Sequence, residues 1–123
     1  MSCLNLDEIL MRFALIANLT LEEAMLWAPI CSDAAEDIKL KLKSDTDIEA
    51  NSRRLTTAAA ALSFYRYTLY RASGTGMNGF VAGDIKIEGN SDVSVKTADT
   101  VWKDAKGNIS DILEDDEFVF RQV

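Results

Sequence analysis

The 123-residue chain contains no histidine. Histidine is the commonest general base in enzymes, and it completes the Ser-His-Asp and Cys-His catalytic arrangements and the helical zinc motif H-E-x-x-H. Its absence excludes all of these at once. We therefore expect a protein that is not an enzyme and has no catalytic residues.

Cysteine and long apolar runs are also scarce. Cys3 and Cys31 are too few for a disulfide framework and do not form a C-x-x-C pair, so we expect quiet thiols in a reducing compartment. No apolar stretch approaches the roughly 20 residues that span a bilayer, and the N-terminus lacks the pattern of a secretory signal. We expect no membrane partner, no secretion and no bound cofactor or metal.

Basic residues are the minority charge. Thirteen Lys and Arg face 20 Asp and Glu, which gives a formal net charge of -7. Affinity for phosphate backbones comes mostly from Lys and Arg, so a dedicated nucleic-acid-binding domain is disfavoured. The apolar content of 48% and the charged content of 27% are typical of a soluble globular protein, and the length predicts a single domain over residues 1–123.

The first half of the chain has helical periodicity. Apolar residues recur at three- and four-residue steps from residue 6 to 19, and Thr20 with Glu23 fits a capping box that opens a short helix through Trp27. Pro29 is expected to begin a further helix, because proline is tolerated only in the first turn. Thr46 with Glu49 fits a second capping box, and the longest helix is predicted over about 46–72.

The long helix should lie at the centre of the fold. Ile48, Leu55, Leu62 and Leu69 are each seven residues apart, as expected for a helix packed along its full length. Residues 58–61 are all alanine, and such small side chains let another helix approach closely.

The second half of the chain contains both strand-like and helix-like patterns. Residues 84–96 alternate polar and apolar side chains around a Gly-Asn-Ser turn, which predicts a β-hairpin. Helical periodicity returns over about 98–114, and residues 118–123 predict a short C-terminal strand. The predicted fold is therefore α+β and mainly α, a helical bundle around the central helix with a hairpin, a further helix and a last strand.

The stretch SGTGMNGF at residues 73–80 has the spacing G-x-G-x-x-G of phosphate-binding loops. Such loops follow a strand and open a helix, whereas this one follows the long helix. We interpret Gly74 as a helix cap and the rest as an exposed loop that becomes ordered against a partner.

Two charged regions are candidate sites. The acidic cluster at residues 114–117 cannot direct consecutive carboxylates at one ion, so a solvated or subunit-facing edge is expected. No acidic residue lies between 50 and 83, where Arg53, Arg54, Arg66 and Arg71 are found. Because an unpaired charge beside an apolar seam is costly, Arg66 is expected to form an ion pair within the fold or between subunits.

An aromatic stretch at residues 63–70 covers more than one side of the long helix, which suggests a second face that meets another chain. With the adjacent loop and the C-terminal segment, it supplies the predicted interface residues. These are Arg66, Tyr67, Tyr70, Arg71, Met77, Phe80, Phe118 and Phe120.

The chain resembles the small head-tail connector, or adaptor, proteins of tailed bacteriophages and prophages. The resemblance is carried by LTLEEA at residues 19–24, by the alanine-rich helix over 54–71 with Leu62, Tyr65, Thr68, Leu69, Tyr70 and Ala72, and by ILEDDEFVF at residues 112–120. It covers most of the chain, although that family's commonest form is shorter and helical.

The resemblance implies a structural virion protein that forms a homo-oligomeric ring, a dodecamer, between portal and tail. Its partners would be further copies of itself, the portal protein and tail or neck proteins, with DNA passing nearby without sequence-specific binding. The implied location is the virion neck, and the host cytoplasm during assembly. The alternative is a small non-catalytic ligand-binding or regulatory domain in which residues 73–83 act as a lid.

Overall fold

A computed structural model of the chain describes residues 4–73 and 81–114. Within these residues the structure is helical. The helices are α1 (Leu6–Ala17), α2 (Leu21–Met25), α3 (Ala28–Lys41), α4 (Ser52–Ser73) and α5 (Val81–Asn108), followed by a short 3-10 helix (Ser110–Ile112).

The boundaries of the first three helices follow from local chemistry. Asn5 caps α1 through its side-chain oxygen, and Asn18 ends it with φ 61°, a left-handed conformation that asparagine tolerates better than most residues. Thr20 and Glu23 form the predicted capping box of α2. Pro29 lies in the first turn of α3, where its missing N–H leaves no bond unmade. The predicted capping box of α2 and the predicted place of Pro29 are confirmed, whereas α2 ends at Met25, before the predicted Trp27.

Helix α4 is the centre of the bundle, as predicted. It packs against α1, α3 and α5, and α5 forms the most extensive of these contacts. Leu55 and Leu62 are fully buried, and the alanines at residues 58–61 are at most 1% exposed. Small side chains on every side of α4 allow three helices to approach it closely.

The predicted start of this helix at about residue 46 is too early, because α4 begins at Ser52. Asp47 organises the preceding turn: its Oδ1 accepts from the Ala50 amide (3.1 Å), and its carbonyl accepts from the Asn51 side-chain amide (2.9 Å). The predicted capping box at Thr46 does not form. Thr46 Oγ1 is instead buried without a hydrogen-bond partner among the described residues.

The predicted β-hairpin is wrong. Residues 84–96 lie inside α5, which is 28 residues long, and the described part of the chain contains no strand beyond one isolated bridge. A two-stranded hairpin is marginal in water without a further strand or a helix to cover it. When the helix continues through these residues, its backbone N–H and C=O groups hydrogen-bond within the helix, and the contact with α4 becomes longer. The fold class of the described residues is therefore all-α.

The segment after α5 closes one end of the bundle. The helix predicted over 98–114 begins earlier, at Val81, and ends at Asn108. Ala98, Trp102 and Ala105 are buried along it, and Ile109 is buried just after its end. Leu113 then pairs with Leu42 in an antiparallel bridge. The predicted C-terminal strand falls on residues 118–123, which lie outside the described residues.

Candidate interaction surface

Helix α2 exposes more apolar side chain than it buries. It is five residues long, and Ala24 is its buried residue. Leu21 is 52% exposed, Met25 58% and Leu26, its C-cap, 79%. A helix of this length has room for one buried side chain against the bundle, so its remaining apolar residues face solvent.

The capping box holds α2 in place at the end of α1. The Thr20 amide donates to Glu23 Oε1 at 2.9 Å, and the Glu23 amide donates to Thr20 Oγ1 at 3.1 Å. These two bonds satisfy amides that a helix start otherwise leaves open. The exposed apolar residues of α2 are thus presented by an ordered turn.

Aromatic contacts connect α2 to the C-terminal part of α4. Trp27, which follows Leu26, packs edge-on against Tyr67 and Tyr70, with ring centroids 4.8 and 5.6 Å away. Phe13 of α1 packs edge-on against the other side of Tyr67 at 5.3 Å. Tyr70 itself is 57% exposed.

We call the resulting group of side chains the α2 surface, defined by Leu21, Met25, Leu26 and Tyr70. Single exposed apolar residues are normal on a soluble protein, whereas neighbouring ones mark an interaction site. Leu40, which is 75% exposed near the opposite end of α3, is an example of a single exposed residue.

A cation lies at the edge of the α2 surface. Arg71 Nη1 donates to the Tyr67 hydroxyl at 2.9 Å, and its guanidinium carbon lies 5.5 Å from the centre of the Tyr67 ring. No carboxylate among the described residues pairs with it. Glu22 is exposed on α2. A partner bound here would meet apolar groups beside one unpaired positive and one negative charge.

The opposite end of the bundle is closed by polar contacts. Arg54 of α4 donates to the Asn108 carbonyl at 2.7 Å and to Asp111 Oδ1 at 2.9 Å. The hydrogen bond from Arg54 lowers the pKa of the Asp111 carboxyl below its ordinary value, although Asp111 is exposed. These contacts join the start of α4 to the end of α5.

The bridge between Leu42 and Leu113 lies at the same end. The Lys43 amide donates to the Ile112 carbonyl at 2.9 Å, and the Glu114 amide donates to the Lys41 carbonyl at 2.8 Å. The last described residue, Glu114, is therefore fixed beside the C-terminus of α3.

The structure separates the predicted interface residues into three groups. Arg66 pairs with Asp37 of α3 at 2.8 Å, so the ion pair expected for it forms within the fold. Tyr67 is 6% exposed and belongs to the core, whereas Tyr70 and Arg71 are exposed beside α2. The others lie outside the described residues: Met77, Phe80, Phe118 and Phe120.

Sequence reasoning missed Leu21, Met25 and Leu26. The sequence does contain an indication of their exposure. Leu21, Ala24, Met25 and Leu26 lie between the capping threonine and Trp27, and a single turn of helix cannot bury all four. Met11 and Leu15 of α1 gave a similar signal, because they fall outside the predicted apolar stripe of that helix, and they are 56% and 81% exposed.

Other features of the described residues are modest. A depression of about 120 Å³ lies between α1 and α3, lined by Leu4, Leu6, Ile9, Ser32, Ala35, Glu36 and Lys39.

Cys31 is a free, buried thiol whose pKa is raised by burial, an effect opposed by a hydrogen bond with Ser63. Among the described residues no cluster of metal-ligating side chains occurs, and none of the helices has the length and apolar content to cross a membrane.

Comparisons with protein-family models, curated proteins and solved structures found no match to this chain.

Proposed function

We propose that this chain is a structural, non-catalytic subunit that assembles with copies of itself, and that the assembly is a head-tail connector ring between the portal and the tail of a tailed bacteriophage. The observation that carries the proposal is the α2 surface. Its apolar side chains, three on or next to α2 and the fourth on Tyr70, which packs against Trp27, are between 52% and 79% exposed. Leaving such a group in water is unfavourable, and burying it against another subunit is the usual solution.

The resemblance to connector proteins supports the more specific part of the proposal. Two of the sequence segments that carry it contribute to the α2 surface: residues 19–24 supply Leu21, and the C-terminal part of α4 supplies Tyr70, which packs against Trp27 just beyond α2. The third segment, residues 112–120, begins at the closed end of the bundle. A subunit in a closed ring needs two different contact surfaces, and residues 19–24 and 112–114 lie at opposite ends of the bundle.

A small-molecule site has less support among the described residues. Ligand pockets enclose about 300–1,000 Å³, whereas the depression between α1 and α3 has a volume of about 120 Å³. Residues 74–80, the centre of the proposed lid, lie outside the described residues. Within residues 4–73 and 81–114, no specific observation favours the ligand-binding alternative.

The proposal is tested by measuring the mass of the purified full-length chain across a wide concentration range by sedimentation velocity. We expect discrete species larger than the monomer, or a ring that forms on mixing with portal protein. A chain that stays monomeric at every concentration and does not co-sediment with portal would contradict the proposal. A thermal-shift screen with nucleotides and divalent ions tests the alternative, because a tightly bound ligand raises the unfolding temperature.

A further inference from the structure

The α2 surface has a chemical complement in the chain's own sequence. Residues 115–120 read Asp-Asp-Glu-Phe-Val-Phe, so acidic side chains come immediately before two aromatic rings. The α2 surface offers the matching groups, namely apolar side chains and Arg71, which has no carboxylate partner among the described residues. Aromatic side chains are the commonest anchors of protein interfaces, and charges of opposite sign fix their orientation.

The structure shows where this segment leaves the bundle. The Glu114 amide bonds to the carbonyl of Lys41, the last residue of α3. The α2 surface lies at the other end of the same helix, because Leu26 and Trp27 immediately precede Ala28. A helix rises 1.5 Å per residue, so α3 alone separates the two points by about 20 Å.

This distance limits what the segment can reach on its own molecule. An extended chain covers at most about 3.3–3.6 Å per residue, which places Phe118 within about 14 Å of Glu114 and Phe120 within about 21 Å. Even these values assume a straight path, whereas the chain must pass around the surface of the bundle. Counted between Cα atoms, Phe118 falls short of the α2 surface of its own molecule and Phe120 only just reaches it, so the segment meets this surface more readily on a neighbouring copy.

We propose that residues 115–120 of one copy bind the α2 surface of a neighbouring copy, with Phe118 and Phe120 against Met25 and Leu26 and a carboxylate of the acidic cluster beside Arg71. This deepens the proposed function and depends on it, because it requires that the chain self-assembles. The contact is head-to-tail, since the two surfaces are different and lie at opposite ends of the molecule. Repeating such a contact with a fixed rotation closes a ring.

Glu22 sets the orientation of the segment. It is exposed on α2 and repels the acidic residues, whereas Arg71 attracts them. The acidic residues therefore lie toward Tyr70 and Arg71, and the rings lie toward Leu26. Because the charged part is exposed, higher salt weakens the association without abolishing it.

The first experiment compares two leucines of similar exposure in the full-length chain. Leu26 is 79% exposed in the α2 surface, and Leu40 is 75% exposed outside it. Leu26→Ser and the double variant Phe118→Ala/Phe120→Ala should each raise the dissociation constant of self-association at least about tenfold, as the loss of interface anchors does. Leu40→Ser should leave it unchanged. Circular dichroism and the unfolding midpoint confirm that each variant is folded.

The second experiment mixes the two defective chains. Leu26→Ser retains an intact C-terminal segment, and Phe118→Ala/Phe120→Ala retains an intact α2 surface, so each supplies what the other lacks. Native mass spectrometry should show a one-to-one heterodimer, with neither chain forming larger species alone. A closed ring cannot form from this mixture, because each pair retains only one intact contact.

The outcomes separate this inference from the proposed function. If the wild-type chain assembles and both variants assemble as tightly as it does, the contact is wrong and the structural role stands. If the variants lose assembly but never form the heterodimer, exchange of the segment between copies is wrong. If the wild-type chain remains monomeric with and without portal, the proposed function and this contact both fail.

Discussion

At one end of the bundle, Arg54 joins the start of α4 to Asn108 and Asp111, and the Leu42–Leu113 bridge pairs the backbone beside it. At the other end, the two-bond capping box orders α2, but Leu21, Met25 and Leu26 remain in solvent. The first end satisfies its polar groups within the chain. The second is equally well defined locally and yet exposes apolar side chains.

The largest loss of stability is expected when the core beneath the α2 surface is removed. Phe13 is fully buried and supports Tyr67 at 5.3 Å, and Tyr67 in turn supports Trp27. Phe13→Ala should lower the free energy of unfolding by about 3–5 kcal/mol, since it leaves a cavity. Leu15→Ala on the same helix is the control: its side chain is 81% exposed, and the change should stay within about 0.5 kcal/mol. Urea unfolding followed by tryptophan fluorescence measures both.

The closed end is tested by Arg54→Met, which keeps much of the apolar stem and removes the donors to Asn108 and Asp111. We expect a loss of about 1.5 kcal/mol in unfolding free energy, reduced by solvent because the Arg54 side chain is 38% exposed. Arg53→Met is the matched control, because Arg53 is exposed and forms none of these bonds. Equal losses in the two variants would show that the network does not hold this end together.

The local order of the α2 end is tested by Thr20→Ala, which removes the side-chain half of the capping box. The expected cost is about 1 kcal/mol in unfolding free energy, because an amide at the helix start loses its acceptor. Thr97→Ala, at an exposed threonine within α5, should cost nothing and can gain a few tenths of a kcal/mol from helix propensity. An unchanged Thr20→Ala variant would mean that packing of Trp27 alone positions α2.

The smallest effect is the pH dependence of the closed end. Arg54 holds the pKa of folded Asp111 below the unfolded value of 3.8. The stabilisation is therefore fully present above the unfolded pKa and is lost as the pH falls through the folded pKa. The difference in unfolding midpoint between wild type and Asp111→Asn should be present near neutral pH and should disappear in strong acid. A difference that persists in acid would contradict the assignment.

Local signals predicted the start of α2, the position of Pro29 in α3 and the central position of α4. Each of these depends on residues that are close in sequence or on an apolar pattern repeated along a helix. The prediction of a β-hairpin was wrong for the opposite reason. Residues 84–96 alternate in the manner of strands, but a strand requires a neighbour, and among the described residues α4 provides a helical one instead.

The candidate surface was predicted in part. Tyr70 and Arg71 were identified, and both are exposed, whereas Tyr67 was grouped with them and is buried. Consecutive helical positions differ by about 100° in direction, so an aromatic stretch on a helix surrounded by partners cannot show by itself which ring faces outward. The α2 residues were missed because their exposure depends on how little of a short helix the bundle covers.

The sequence by itself determined where α1, α2 and α3 begin, because caps and proline act through near neighbours. Tertiary structure alone decided that Arg66 is paired with Asp37, that Glu114 lies beside Lys41, and that Leu26 lies in solvent. These are relations between residues distant in sequence. They depend on which helix faces are covered, and the packing of α1, α3 and α5 around α4 decides that.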